Sequence, residues 1–308
     1  MALSLPQLVV PGYDILSHID GRVWKAKEDE EDEEEYAAIK ILDHSDKREK
    51  ARFDAELDIW EQCQHKHIIP VIQIYEFSLN AAIIMELAST DLSAIINSHP
   101  KGVTHSFART VFYQLCITIK FLAQQHNIAH LNLSPQHVLL QYRGQTPTTR
   151  LTSFGSAIKF QPDVKIRTTL VGSDFYRAPE IENKKAFDPH LADVWSLGVL
   201  LHVLFTGTWP FFGFDYNEAH QNAKQGKVQL SPQLPDVQRG LVEKILQVHP
   251  PSRLSIDEIL NDPWVNLEAN MPTRSKSEGC AEKPPGKKSK SLRKRLMKKL
   301  SSSSVLPH

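Results

Sequence analysis

The chain has 308 residues, of which 41% are hydrophobic and 23% charged. That length can bury a sizeable core, and the balance excludes a wholly disordered chain, a collagen and a disulfide miniprotein. Net charge is zero, yet residues 271–308 carry +9 and Glu28–Glu35 carries −8, so the rest is near neutral and implies neither blanket DNA binding nor steering of acidic substrates.

Cys63, Cys116 and Cys280 are widely scattered and suit neither a disulfide framework nor a zinc site, which points to a reducing, intracellular setting, cytoplasmic or nuclear. The N-terminus lacks the basic and apolar regions of a signal peptide. Tyr13–Ile19, Arg22–Lys27 and Tyr36–Leu42 read as strands, with the acidic run a solvated loop between the second and third. Phe53, Leu57 and Trp60 recur at i, i+4, i+7 and predict an amphipathic helix over 47–62. Val71–Phe77 and Ala81–Leu87 supply two more strands. Thr104–Gln125 sets Ala108, Val111, Phe112, Leu115, Ile119 and Leu122 on one helical stripe. Val194–Phe214 is uncharged for 21 residues, about the length of a bilayer. Its Gly, Ser, His and Pro content favours a buried core helix and a turn. Beyond Trp264 the composition turns to Lys, Ser, Pro and Gly, a disordered basic tail outside the fold. The chain therefore reads as α+β and two-lobed: a five-stranded small lobe with one helix (about 13–87), a larger mainly helical lobe (about 88–267) and a tail over 268–308.

Six motifs fall in order: Ala37-Ala38-Ile39-Lys40, then Glu56, then His130-Leu131-Asn132-Leu133-Ser134-Pro135-Gln136-His137, Ser153-Phe154-Gly155, Ala178-Pro179-Glu180 and Asp193-Val194-Trp195-Ser196-Leu197-Gly198. Together they resemble the protein-kinase signature set over about residues 13–267. The large lobe, with Arg253, is similar to that of the calmodulin-dependent-kinase-like group. The resemblance implies a bilobal kinase fold. It implies further that Lys40 pairs with Glu56 and presents its charge to nucleotide phosphates, and that Val23, Ala38 and Leu139 line an adenine site. Trp60, His130, Phe154 and Asp193 match the family's regulatory spine, and Glu180 with Arg253 its buried ion pair.

The same alignment exposes departures. After Ile19 only Asp20-Gly21-Arg22-Val23 remains of the glycine-rich loop, about four residues short, which predicts a tight hairpin. Asn132 stands where the family's H-R-D-L-K-P-E-N pattern has the catalytic Asp; an amide cannot take the acceptor hydroxyl's proton. Ser134 replaces the Lys of that pattern and Leu131 its Arg. His137 and Ser153 replace the two magnesium ligands with donors poorly matched to so hard a cation. The resemblance with these losses implies a pseudokinase: not an enzyme, with no cofactor, ATP binding without magnesium being the exception, and acting as scaffold, adaptor or allosteric regulator. The alternatives are an atypical serine/threonine kinase with weak ATP-dependent phosphotransfer, and a magnesium-independent nucleotide sensor. The expected partners are proteins, such as an active kinase or a ubiquitin-ligase component.

The segment Ser156–Arg177 carries Thr168, Thr169, Ser173 and Tyr176, hydroxyls that read as solvated loop groups, with a phosphorylation switch or a docking surface as the alternatives. Lys283–Leu300 holds nine basic residues, with Leu292, Leu296 and Leu300 spaced for a basic amphipathic helix. Importin, an anionic membrane or calmodulin would suit it, as would a merely solubilising role or a fold back onto Glu28–Glu35; nothing points directly to nucleic acid.

Overall fold

The computed structural model describes residues 8–29, 35–43, 47–142, 144–162, 164–166, 171–184, 186–266 and 297–299. The chain divides into two units, the described parts of 1–64, 69–88 and 282–308, and those of 65–68 and 89–281. The division falls just after Ala88.

In the first unit, β1 (Tyr13–Asp20), β2 (Val23–Glu28), β3 (Tyr36–Asp43), β4 (Val71–Glu76) and β5 (Asn80–Glu86) form an antiparallel sheet in the order β1-β2-β3-β5-β4. Gly21-Arg22 alone join β1 to β2, since Asp20 pairs with Val23. Gly21 takes φ +51, which glycine tolerates without strain. Ala26, Ile39, Ala82 and Ile84 are fully buried on one face of the sheet. The helix α1 (Lys47–Gln62) forms where the apolar spacing predicts it, and its Phe53, Leu57 and Trp60 are buried. The Trp60 indole donates to the Ile69 carbonyl at 2.9 Å, which satisfies its buried N–H.

The second unit is mainly helical. A short β6 (Thr90–Asp91) leads into α2 (Leu92–Ser98), then α3 (His105–His126) and β7 (Ile128–Ala129). The strands β8 (Val138–Tyr142) and β9 (Pro147–Leu151) pair antiparallel, and β10 (Ile158–Lys159) pairs with β7. The remaining helices are α4 (Pro179–Glu182), α5 (Pro189–Thr206), α6 (Tyr216–Lys224), α7 (Asp236–Ile245) and α8 (Ile256–Asn261). The predicted stripe of α3 is buried along its length. Asp188 caps α5 by accepting from the His190 N–H at 2.9 Å, Pro189 occupies the first turn, and Gly207 ends the helix in the left-handed region. A Cβ on Gly207 would lie 2.4 Å from the Pro100 carbonyl oxygen, so only glycine fits there. By length and apolarity α5 could cross a bilayer, but 89% of it is buried, as a core helix is.

Beneath α4 the Arg253 guanidinium grips Glu180 with both nitrogens, at 2.6 and 2.8 Å. It also donates to the carbonyls of Gln247 (2.7 Å) and Leu191 (2.9 Å), and its face lies 4.9 Å from the Trp195 ring. His67, in the four-residue piece 65–68, is buried against β9. Its Nδ1 donates to the Thr149 carbonyl at 3.3 Å, while its own carbonyl accepts from Leu151 N at 2.8 Å.

A last strand, β11 (Met297–Lys299), runs parallel to β4 in the first unit, with Met297 opposite Ile74. These three residues of the basic tail are therefore strand where the leucine spacing predicts helix. An edge strand offers a row of backbone donors and acceptors that any extended segment can pair with. The tail leucines and serines, the centre of the acidic run, Thr168 and Thr169 lie outside the described residues.

Two stability predictions arise. Arg253→Met leaves Glu180 buried without its counter-charge and should cost about 3–5 kcal/mol in chemical denaturation; a loss below ~1 kcal/mol would refute its structural role. Burial lowers the His67 pKa from 6.5 to about 4, so the unfolded chain gains a proton below 6.5 that the native state refuses. This contribution to stability is full above pH 6.5 and lost as pH falls toward 4. In His67→Asn the decline in unfolding free energy across that window should shrink by about 3 kcal/mol.

Candidate functional site

In the first unit, adjacent strands place three of the site residues. Val23 on β2 is opposite Lys40 on β3, and Lys25 is opposite Ala38. Lys40 therefore leaves the sheet on the same side as the buried face of α1, where Glu56 is only 4% exposed. The Lys40 ammonium donates to both Glu56 carboxylate oxygens at 2.8 Å. An acid so buried needs a partner, and the pair locks helix to strand while holding one cation at the sheet surface. The β1–β2 turn is closed on itself, with His18 Nε2 3.0 Å from the Gly21 carbonyl. Two residues cannot form a phosphate-covering loop, as their number in the sequence predicts.

In the second unit the geometry starts from Asp193, which α5 carries into the core. Its carboxylate accepts the backbone N–H groups of His130 (2.7 Å) and Leu131 (2.8 Å). Burial pushes the Asp193 pKa up to about 7, against the opposite pull of those two donors. Leu131 is held at φ +57, a costly conformation for a side chain with a Cβ. The His130 ring meets Phe154 edge to face at 5.2 Å, and its Nε2 lies 3.0 Å from the Thr152 carbonyl. Desolvation lowers the His130 pKa to about 3, so it is a neutral packing group. Ser153, just before Phe154, also adopts the left-handed region (φ 68, ψ 62). Leu139 is half-buried on β8, opposite Asp91 and Arg150 of its neighbours.

The catalytic-loop side chains form a connected polar cluster. His137 Nδ1 is 2.8 Å from the Asn132 carbonyl and 3.0 Å from Ser134 Oγ. A carbonyl only accepts, so Nδ1 carries the proton. Ser173 Oγ lies 3.1 Å from Asn132 Oδ1 and 3.2 Å from Ser134 Oγ. In the sequence Ser173 is legible only as a loop hydroxyl; its fixed place five residues before Ala178-Pro179-Glu180 is the signal that could have found it. Arg177 likewise escapes sequence reasoning. Its guanidinium donates to the Val171 (2.7 Å) and Gly172 (2.6 Å) carbonyls and pairs with Glu182, which fixes the segment against the loop. A Cβ on Gly172 would lie 2.4 Å from the Leu131 carbonyl oxygen, so the close approach depends on glycine. Tyr176 is buried and its phenol pKa raised by desolvation, so it is not a solvated loop group.

Magnesium, which the family's chemistry implies, does not fit this donor set. Ser153 offers a neutral hydroxyl and His137 an imidazole, and the described residues contain no cluster of three or more His, Cys, Asp or Glu able to hold an ion. Asn132 can orient a hydroxyl by hydrogen bonding but cannot accept its proton.

The protein kinase domain family model matches residues 20–265. NUAK family SNF1-like kinase 1 of Homo sapiens is 30% identical over 221 residues, 72% of this chain and 32% of that protein. The serine/threonine-protein kinase ULK3 of Rattus norvegicus is 33% identical over 223 residues, 71% of this chain and 46% of that protein. The SNF-related serine/threonine-protein kinase of Rattus norvegicus is 30% identical over 234 residues, covering 75% and 31%. The chain thus spans about a third to a half of the length of the curated relatives it matches. These relatives are named as kinases, and they correct the expectation that the chain is not an enzyme: they point to a kinase enzyme instead. The physical reason lies in the backbone. The substitutions at Asn132, Ser134, His137 and Ser153 change side chains, whereas the loop geometry anchored on Asp193 and the Lys40–Glu56 pair are intact. Match and geometry agree: the chain belongs to the protein kinase family.

Proposed function

We propose that the chain is an atypical serine/threonine protein kinase with weak ATP-dependent phosphotransfer to a protein acceptor inside the cell. The observation that carries this reading is the Lys40–Glu56 ion pair at 2.8 Å, which keeps one cation in place for nucleotide phosphates. Phosphoryl transfer through a loose transition state asks for little covalent chemistry and much positioning. Loss of a base therefore lowers the rate without removing the reaction. Asn132, steadied by Ser173, holds the acceptor hydroxyl by hydrogen bonding, and that proton leaves to solvent or product phosphate. With donors ill-suited to magnesium, ATP is bound through Lys40 with little dependence on that cation. Protein partners and any role of the basic tail in location belong to the same proposal.

The test is transfer of labelled γ-phosphate from ATP by the full chain. Slow transfer is expected, and Lys40→Ala should abolish it together with the ATP-induced thermal shift. Absence of both transfer and shift in the unmodified chain would overturn the reading. Ser153→Asp supplies the missing hard ligand and should raise ATP affinity in the presence of magnesium by about tenfold, read by thermal-shift titration. Equal affinity with and without magnesium in that variant would show that position 153 does not recruit the cation.

A further inference from the structure

Without β11, the sheet of the first unit would end on β1 and on β4. The β1 edge is interrupted twice in its pairing with β2, between Ile15 and Ser17 and between His18 and Asp20, irregularities of the kind that turn an edge away from further strands. On β4 the register shift lies between Val71 and Gln73, so Ile74, Tyr75 and Glu76 form an unbroken stretch. That stretch is where β11 docks: Met297, Lys298 and Lys299 run parallel to it, opposite Ile74, Tyr75 and Glu76 in turn.

Charge accompanies the backbone pairing. A cavity of about 250 Å³ joins Gln73 and Tyr75 of β4 to Gly12, and to Glu28 and Asp29 at the end of β2. The Asp29 N–H donates to the Gly12 carbonyl at 3.1 Å and the Tyr75 hydroxyl to the Pro11 carbonyl at 3.0 Å, which ties this acidic corner to β4. Lys298 is therefore registered opposite a wall residue of an acidic cavity, and Lys299 opposite an acid. Opposite charges across a strand pair support the pairing. The tail supplies them in excess, since residues 271–308 carry +9. The roughly 30 residues between Asn266 and Met297 reach up to about 100 Å when extended, so chain length permits this pairing within one molecule.

We propose that Ile74, Tyr75 and Glu76 of β4 form a docking edge for an extended basic segment, filled in cis by Met297–Lys299 of the chain's own tail, and that Glu28, Asp29 and Glu76 set the strength of the hold. Backbone pairing supplies register, and the carboxylates supply the preference for a basic occupant. While the tail is paired, the edge is closed to other strands and these tail residues are withheld from other partners. The inference goes beyond the kinase reading and does not lean on it, since no residue of the catalytic loop takes part.

Amide hydrogen exchange of the full chain, read by mass spectrometry, tests the pairing. In the double variant Lys298→Pro/Lys299→Pro one of the two prolines removes a donor aimed at β4, because successive residues of an edge strand turn their N–H groups alternately inward and outward. Those amides of Ile74, Tyr75 and Glu76 that face away from β5 should then exchange about tenfold faster, with β2 and β3 unchanged as the control for folding. A labelled peptide copying residues 283–300 should bind this variant about tenfold more tightly than the unmodified chain, whose edge is already filled. Adding Glu28→Gln, Asp29→Asn and Glu76→Gln to the double variant should weaken that binding about tenfold and flatten its salt dependence. Unaltered exchange in the double variant, equal peptide affinity with and without the prolines, or affinity indifferent to the three carboxylates would each overturn the inference. Loss of β4 protection on hundredfold dilution of the unmodified chain would assign the edge to the tail of a second copy and overturn pairing in cis.

Discussion

The second unit depends on one carboxylate. Asp193 comes from the second turn of a helix buried almost all round, and it holds two successive backbone N–H groups of a loop far away in sequence. Without that double acceptor, Leu131 would have no reason to remain in the left-handed region, and its carbonyl would not meet Gly172. Placement of Asn132, Ser134 and His137 is a consequence of this anchor. The charge sits in a site that resists ionisation, so the two hydrogen bonds do double duty: they fix the loop and offset the penalty of burying the acid.

The first unit has its own constraint of the same kind. Glu56 is buried because α1 packs its apolar stripe on the sheet, and Lys40 is the group that makes this burial tolerable. Structural and functional demands coincide in one ion pair. Its retention alone does not separate an enzyme from an adaptor by sequence.

Much of the architecture can be read from pattern. Five strands of the first unit are legible from short apolar runs, α1 and α3 from period-3.6 spacing because each buries one face, and α5 because nearly all of its surface is buried. The pair β8–β9 leaves no such signature. Thr148, Thr149 and Arg150 dilute the apolar alternation, and register there comes from tertiary partners such as His67 and Gln114. The polar cluster around Ser173 is invisible for the same reason: 41 residues separate it from Asn132. Residue identity at the catalytic positions is legible, but it governs how fast a reaction runs. Asn132 in place of an aspartate removes a base from the loop without removing the loop, so it does not by itself decide whether the chain is an enzyme.

The two-residue junction at Gly21-Arg22 has a pharmacological corollary. Compounds that gain residence time from a flexible glycine flap closing over them find no slack in this turn, since every residue from Tyr13 to Glu28 is committed to strand or turn. Residence time of a small molecule on this chain therefore has to be built on surfaces other than that hairpin.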